Sequence, residues 1–366
     1  MRVAIAPDSL KGSLSAEAAA RAIADGWRRI RPGDELLLMP QADGGEGTLD
    51  AIEACVGGAL RQGVFPVDGP DGRPTRGEWL MLPDGTAVVE LAQMCGLPLM
   101  RDLDPLGSST RGLGQTIAAA LDAGATSLVI TLGGSASTDG GSGALGALGL
   151  QLHDAGGTPL GRGGGALADL HGVDRSVLMT PPPGGVTVLT DVTAPLLGPT
   201  GAAAVFGPQK GASAADVRHL DDALTRFARL LGGDVDAPGA GAAGGTAFGF
   251  AAVWGAHIEP GADHLQRLTG LWEAIGNVDL VITGEGQFDG QSLGGKVVGQ
   301  VLRRAGEVGT SAAVIAGQLA DRPPVWAASL VELAGSVTEA LAHPDEWLRA
   351  AGELAAAELG EGAAGA

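Results

Sequence analysis

A repeated pattern of a short apolar run, a polar glycine-rich loop and a helical segment constrains the fold of this chain most strongly. The first run contains Val3 and Ile5, and the helix after its loop has apolar residues at intervals of three and four, with Ser15 as the expected N-cap. Strands that alternate with helices form parallel sheets, so the pattern predicts an α/β fold. Further runs that precede polar loops lie at residues 36–39, 127–132, 186–189, 280–282 and 312–315.

Residues 60–90 depart from this pattern. The turn Pro83-Asp84-Gly85 separates two strand-like runs, which is typical of an antiparallel hairpin and fits poorly into a purely parallel sheet. We therefore expect two α/β domains: a Rossmann-like parallel-sheet domain of residues 1–60 plus 276–366, interrupted by an inserted mixed α/β domain of residues 61–275. Ligands of α/β proteins gather at the carboxyl ends of strands, so the polar loops are candidates to line one cleft.

Charge and hydropathy exclude several classes of partner. The 366 residues carry a formal net charge of -19, which argues against sequence-independent binding of nucleic acid. No apolar stretch is long enough for a membrane span, and the strand-like start at Arg2 lacks the features of a signal peptide. We expect a cytoplasmic protein without nucleic-acid or membrane partners, either a monomer or a homodimer.

Lysine is rare in this sequence, and its positions are informative. Lys11, Lys210 and Lys296 are the only lysines, against twenty arginines, and all three lie in loops rich in glycine, serine or proline. Lysine is a compact point charge suited to phosphate or carboxylate. We expect these side chains at an anionic ligand, with Lys210 exposed; the alternative is that they are surface residues without a ligand.

The first two polar loops combine carboxylates, hydroxyls, an ammonium group and glycines. The loop before the first helix suits an anion, because a helix N-terminus follows it. In the second loop, glycines let backbone amides converge on a ligand, and the carboxylates can hold a hydroxylated substrate or Mg²⁺. Turn formation and helix capping are the alternative explanations. The candidate residues are Asp8, Ser9, Lys11, Asp43, Gly44 and Glu46.

Two later loops look like phosphate-binding motifs without matching them. Residues 141–146 have the formal GxGxxG spacing but begin too far after the strand, and no acidic residue lies about twenty residues beyond. Residues 290–296 follow the P-loop spacing up to Lys296, but Val297 replaces the Ser or Thr. The remaining candidates are Gly133, Gly134, Ser135 and Asp139 for phosphate, and Glu285 and Asp289 for a metal or the substrate.

Asp191 directly ends a predicted strand, which is a good position for a general base, although helix capping is an alternative role. The loop that contains Lys210, Phe206-Gly207-Pro208-Gln209-Lys210-Gly211, follows fifteen residues later.

Several of these blocks together resemble the glycerate kinase family of the bacterial glycerate 2-kinase type, over essentially the whole chain. The resemblance implies ATP- and Mg²⁺-dependent phosphorylation of D-glycerate by two α/β domains with the site between them. Thr138 and Ala194 depart from it, since we expect asparagine at both positions. The blocks are Ala6-Pro7-Asp8-Ser9, residues 11–16, 42–48, 133–136, 139–141 and 205–212, Val281-Ile282-Thr283-Gly284-Glu285-Gly286, and Asp289-Gly290-Gln291.

Roles for the candidate residues follow from the resemblance and from the chemistry of phosphoryl transfer. Lys210 and Lys296 are expected to contact phosphate oxygens, and Asp191 to accept the proton of the substrate hydroxyl. Gly133, Gly134, Ser135 and Asp139 are expected at the nucleotide, Glu285 and Asp289 at the metal, and Asp8, Ser9, Lys11, Asp43, Gly44 and Glu46 at glycerate. The resemblance alone implies 2-phosphoglycerate as product; 3-phosphoglycerate, a dinucleotide-dependent oxidoreductase and a non-catalytic sugar-acid sensor are the alternatives.

Overall fold

The structure is a computed structural model that describes residues 1–10, 12–294 and 296–360. The chain forms two compact units. Unit 1 comprises Met1–Asp43, Asp50–Gly57 and the chain from Gly261 onward, and unit 2 comprises Gly44–Leu49 and Gly58–Pro260. The boundary expected at residue 276 falls later than the division at Gly261, because residues 261–275 form helices that group with unit 1.

Strands occur in both units. In chain order they are β1 (Arg2–Pro7), β2 (Glu35–Leu38), β3 (Leu60–Asp68), β4 (Pro74–Met81), β5 (Thr86–Glu90), β6 (Ser127–Thr131), β7 (Gln151–His153), β8 (Gly172–Asp174), β9 (Val186–Thr190), β10 (His257–Pro260), β11 (Leu280–Gly284), β12 (Gln287–Phe288), β13 (Ser311–Ala316), β14 (Gln318–Leu319) and β15 (Trp326–Ser329).

Helices connect most of these strands. They are α1 (Ala16–Ile30), α2 (Thr48–Cys55), α3 (Leu91–Cys95), α4 (Arg111–Asp122), α5 (Ser142–Ala147), α6 (Ala202–Phe206), α7 (Ala214–Leu231), α8 (Ala242–Trp254), α9 (Gly261–Leu268), α10 (Leu271–Ile275), α11 (Val297–Val308), α12 (Leu330–Ala334), α13 (Val337–Ala342) and α14 (Pro344–Leu359). Short 3-10 turns cover Leu97–Leu99, Gly164–Asp169 and Pro208–Lys210.

Unit 1 has a parallel sheet in the order β15-β13-β11-β1-β2. The first two and last two predicted strands are all in it, and β15 extends its edge beyond the prediction. On one face, α1 packs through Ile23 and Trp27 against Ile5 and Ile282. Ser15 caps α1 as expected, since its side chain accepts a hydrogen bond of 3.2 Å from the amide of Ala18.

Unit 2 has a mixed sheet in the order β10-β9-β6-β5-β4-β3. The predicted hairpin is confirmed, because β4 and β5 pair antiparallel with Trp79 opposite Val89. From β5 through β6 and β9 to β10 the strands run parallel. The core packs Ile117 of α4 and Phe227 of α7 with residues of this sheet.

The two sheets confirm the predicted α/β class, one parallel and one mixed. Among the described residues, no helix combines the length and apolarity that a bilayer span requires. In each unit, loops that carry candidate residues leave the carboxyl ends of parallel strands.

Candidate active site

A cavity of about 490 Å³ lies in unit 1 beside the carboxyl ends of β1, β11 and β13. Its lining mixes charged groups with the apolar side chains of α12 and α13. The volume lies within the range typical of small-molecule sites. The predicted site residues that it brings together are Asp8, Ser9, Asp43, Glu285, Asp289 and Lys296.

Backbone hydrogen bonds between neighbouring loops position the carboxylates of this cavity. The amide of Asp8 donates to the carbonyl of Gly284 (2.8 Å), which holds the loop after β1 against the end of β11. The amide of Gly317, after β13, donates to the carbonyl of Glu285 (3.0 Å). The side chains of Asp8, Asp43 and Glu285 are all buried. The register of the parallel sheet therefore sets where these carboxylates lie.

Asp289 and Lys296 belong to the segment that resembles a P-loop. The amide of Asp289 donates to Ser292 Oγ (2.9 Å), and its Oδ1 accepts from the amide of Gln291 (2.9 Å). Lys296 is the N-cap residue of α11 and is partly buried. The neighbouring Val297 is buried, so no hydroxyl occupies the position of the P-loop Ser or Thr. Gly295 and the candidate Lys11 lie outside the described residues.

The oxygen ligands in the cavity suit a hard cation. Glu285 and Asp289 line the same space, and Mg²⁺ is commonly bound by one or two carboxylates together with substrate phosphates and water. Within the described part of the chain, no group of three or more His, Cys, Asp or Glu side chains is arranged to hold a metal. The donor set thus fits an ion that is shared with a phosphate better than an ion held by protein alone.

Sequence reasoning missed three polar residues of this cavity, Ser13, Gln287 and Gln318. Ser13 Oγ is buried and has no hydrogen-bond partner among the described residues. Its signal was available, because Ser13 lies in the same polar loop as Asp8 and Ser9. The two glutamines lie two to three residues after the ends of β11 and β13, and the pairing of β12 with β14 places them opposite each other.

In unit 2, polar residues lie at the ends of three adjacent parallel strands. Glu90 ends β5, the loop of residues 132–141 follows β6, and Asp191 follows β9. Glu90 lies opposite Thr131, and the amide of Leu132 donates to the carbonyl of Leu189 (3.2 Å). These strand ends are therefore neighbours at one edge of the sheet.

Two glycine-rich loops of unit 2 meet backbone to backbone. The amide of Gly133 donates to the carbonyl of Gly44 (3.1 Å), and a Cβ at position 133 would lie 2.3 Å from the Cα of Gly45. A residue with a side chain therefore cannot occupy position 133 without displacing the neighbouring loop. Gly134 follows Gly133, and Glu46, at the tip of the other loop, is exposed.

Glu90 holds the loop of residues 44–49, although sequence reasoning did not select it. Its carboxylate accepts from the amides of Gly47 (3.1 Å) and Leu49 (3.0 Å), at the start of α2. Glu90 is buried. Glu90 lies at the end of a strand, as Asp191 does, so the sequence carried the same signal for both carboxylates.

Lys210 is buried rather than exposed, contrary to the expectation for a loop lysine. Only 2% of its surface is accessible. Its Nζ donates to Ser135 Oγ (3.0 Å) and to the backbone carbonyl of Ser137. Burial lowers the pKa of Lys210 to about 7, against the opposing effect of the charge on Asp139. The lysine thus places a titratable ammonium group beneath the glycine-rich loop.

Asp139 serves the same loop from the inside. Its carboxylate is fully buried and accepts from the amide and hydroxyl of Thr110 (2.9 Å each) and from the amides of Gly141 (3.1 Å) and Gly143 (3.2 Å). Burial raises the pKa of Asp139 despite these hydrogen bonds. The nucleotide contact predicted for Asp139 stays a prediction; in this structure its carboxylate is used by Thr110 and by the amides of Gly141 and Gly143.

A kink in α8 supports the loop from below. Gly244 has a φ of 66°, and a Cβ there would lie 2.3 Å from the carbonyl oxygen of Ser137. The amide of Gly140 donates to the carbonyl of Gly244 (2.9 Å). This close approach requires glycine at position 244. Sequence reasoning missed the contact, because its two segments are distant in the chain.

Asp191 is exposed directly after β9, on the same edge of the sheet as the glycine-rich loop. Of the two departures from the family pattern, Thr138 is buried, and its Oγ1 has no hydrogen-bond partner among the described residues. Ala194 accepts a hydrogen bond from the amide of Gly241 (2.9 Å) through its backbone carbonyl.

The formal GxGxxG segment does not form a dinucleotide-binding turn. Its first glycine, Gly141, precedes the short helix α5, and the loop from residue 132 separates it from the end of β6 at Thr131. A dinucleotide fingerprint needs a tight turn directly between strand and helix.

These features are typical of one class of protein: α/β enzymes with polar and glycine-rich loops at the carboxyl ends of parallel strands, where such proteins bind small molecules. The sequence profile described as "Glycerate kinase family" matches residues 3–359. The Glycerate 2-kinase of Escherichia coli (strain K12) is 42% identical over 360 residues, which cover 96% of this chain and 94% of that protein.

Two further relatives agree. The Glycerate kinase of Bacillus subtilis (strain 168) is 42% identical over 328 residues, 87% of this chain and 85% of that protein. The crystal structure of the Salmonella typhimurium LT2 protein described as glycerate kinase 2 superposes with a TM-score of 0.85 at 37% identity, covering 100% of this chain and 99% of that one. The chain belongs to the glycerate kinase family. It is a kinase, which replaces the oxidoreductase and sensor alternatives.

Proposed function

We propose that this protein transfers the γ-phosphoryl group of ATP to D-glycerate in a Mg²⁺-dependent reaction that yields 2-phosphoglycerate. The observation that carries the proposal is the similarity to Glycerate 2-kinase over 96% of the chain. The oxygen-rich cavity of unit 1 and the amide-rich loops of unit 2 support it, since both suit a polyanionic donor and a hydroxylated acid.

We propose that the acid is held by Asp8, Ser9 and Asp43 of unit 1, with Lys11, Gly44 and Glu46 completing the set. Carboxylates accept hydrogen bonds from the hydroxyls of glycerate, and the Lys11 ammonium has a carboxylate to meet. Asp43 of unit 1 and Gly44 of unit 2 are consecutive residues, so both belong to the same loop.

In the proposed transfer, the substrate hydroxyl attacks the γ-phosphorus of ATP and the bond to the bridging oxygen of ADP breaks. Asp191 accepts the hydroxyl proton, since it is an exposed carboxylate at a strand end. Lys296 and the amides of Gly134 and Ser135 contact phosphate oxygens, and Gly133, whose own amide donates to the carbonyl of Gly44, holds the two glycine-rich loops together at the nucleotide. Lys210 acts through Ser135, because its ammonium lies beneath that loop.

Glu285 and Asp289 are the residues that would hold Mg²⁺. When bound, the ion neutralises charge on the triphosphate, which an acidic protein with three lysines is poorly equipped to do alone. The two carboxylates line the cavity together with Lys296.

The test is incubation of the protein with ATP, MgCl₂ and D-glycerate, followed by phosphorus NMR of the product. We expect ADP release that requires both glycerate and the metal, and a product that enolase converts without added mutase. Equal turnover in excess EDTA would contradict the role of the metal. A strict mutase requirement would show 3-phosphoglycerate instead.

A further inference from the structure

One side of the unit 1 cavity has no counterpart in the chemistry of glycerate. Besides the polar groups, the cavity is lined by an apolar wall, which we define as Leu330, Val331, Val337, Ala340, Leu341 and Pro344. Each carbon of glycerate carries oxygen, so a three-carbon acid cannot make use of such a surface. The cavity, at about 490 Å³, is also larger than that acid needs.

The apolar wall is a built surface with residues left open to the cavity. Val337 and Leu341, one helical turn apart on α13, are 50% and 63% exposed, whereas Ala340 between them is buried. Ser336 caps α13 by accepting from the amide of Glu339 (3.1 Å), and Ser329 caps α12 by accepting from the amide of Glu332 (3.4 Å). Two capped helices therefore hold the wall in place, and the described residues leave Val337 and Leu341 exposed.

We infer that the apolar wall binds the nucleoside part of the phosphoryl donor, with the base against Val337 and Leu341. The assignment rests on the proposed function, which requires a nucleoside triphosphate. A purine base is a flat, largely apolar group, and a ribose presents hydroxyls that carboxylates accept. The same cavity carries these partners, since it is also lined by Lys296 for phosphate and by Glu285 and Asp289 for ribose or metal. Thus one cavity has an apolar end for the base and a polar end for the phosphates.

The experiment compares two phosphate ligands that differ in the nucleoside. Binding of Mg²⁺-ATP and of Mg²⁺-tripolyphosphate is measured by calorimetry for the unmodified protein and for the double variant Val337→Ser/Leu341→Ser. Removal of two apolar contacts should raise the Kd for ATP at least about tenfold. The Kd for tripolyphosphate should stay unchanged. Ile30→Ser in α1 is the matched control, because Ile30 is 49% exposed and does not line the cavity.

The outcomes separate this inference from the proposed function. Unchanged ATP affinity in the double variant overturns the inference, even if the protein makes 2-phosphoglycerate. Equal weakening of ATP and tripolyphosphate overturns it too, since the wall would then act on the phosphates or on folding. A rise confined to the KM for glycerate would assign the wall to the acid. Selective loss of ATP affinity supports the inference even if glycerate proves not to be the acceptor.

Discussion

The two units use charged residues in opposite ways. In unit 1, Asp289 and Lys296 line an open cavity together with other polar groups. In unit 2, Asp139 and Lys210 are almost completely buried. Their hydrogen bonds go to protein groups in and around the glycine-rich loop, such as the amide of Gly141 and the hydroxyl of Ser135. Under the proposed function, the charged side chains that line the unit 1 cavity contact a ligand, whereas the buried charges of unit 2 fix the backbone of the loop that contacts it.

This difference separates residues that act on substrate from residues that position others. Asp191 and Glu46 differ from Asp139 and Lys210 in unit 2, because both are exposed. Substitution of an exposed reacting group should remove activity and leave stability unchanged. Substitution of a buried positioning group should change both, and its effect on stability should depend on pH.

The largest effect is expected at Asp191. Asp191→Asn should lower kcat by roughly 10²–10⁴-fold, the usual contribution of a general base. The thermal midpoint should stay the same, because the side chain is exposed. Steady-state kinetics and thermal unfolding measure the two effects. The matched control is Asp222→Asn, an exposed aspartate on α7. A variant with normal kcat would assign the proton transfer to another group.

Lys210→Met should cause the next largest loss. Without the ammonium beneath the loop, turnover should fall by roughly a hundredfold, as for the loss of an electrostatic donor. Lys210→Arg should recover only part of the activity, since the guanidinium keeps the charge but does not fit the space of a compact ammonium. Kinetics with both variants test this, with circular dichroism to verify folding. Near-full turnover in a folded Lys210→Met variant would remove the lysine from the reaction.

Local patterns in the sequence predicted the secondary structure and several residues of the unit 1 cavity. The parallel strands, the hairpin of β4 and β5 and the cap at Ser15 follow from local patterns. Burial does not, because it depends on segments distant in the chain: Ser135 and Ser137 enclose Lys210, and Thr110 lies 29 residues before Asp139. The return to unit 1 at Gly261 also depends on packing, which no local signal in α9 or α10 revealed.

A smaller effect is expected for the metal candidates of unit 1. Asp289→Asn removes one negative oxygen ligand, so the Mg²⁺ concentration for half-maximal activity should rise by roughly tenfold, equivalent to about 1.4 kcal/mol. Saturating Mg²⁺ should restore most of kcat. Asp25→Asn on α1, an exposed aspartate away from the cavity, serves as the control. If the metal dependence does not move, Asp289 binds no metal, and ribose becomes its expected partner.

The smallest effect concerns the stability of Lys210→Met as a function of pH. The pKa of Lys210 is about 7 in the native protein, because burial disfavours the charged form, against 10.5 as its ordinary value. Between these values the unfolded chain binds a proton that the native chain does not, so the unmodified protein gains stability as the pH rises through this window. Below about pH 7 both states are protonated, and the full cost of burying the ammonium is present.

Lys210→Met lacks this ionisation. Its thermal midpoint relative to the unmodified protein should therefore be most favourable below pH 7 and should decline toward pH ~9. A change of about 1 kcal/mol corresponds to a shift of roughly 2–4 °C. The opposing charge on Asp139 reduces the effect, so a double-mutant cycle that adds Asp139→Asn and Lys210→Met/Asp139→Asn shows how much of the pH dependence comes from that pair. A pH-independent difference would mean that Lys210 keeps an ordinary pKa in solution, as an accessible lysine does, and would erase the contrast between the buried charges of unit 2 and the cavity-lining charges of unit 1.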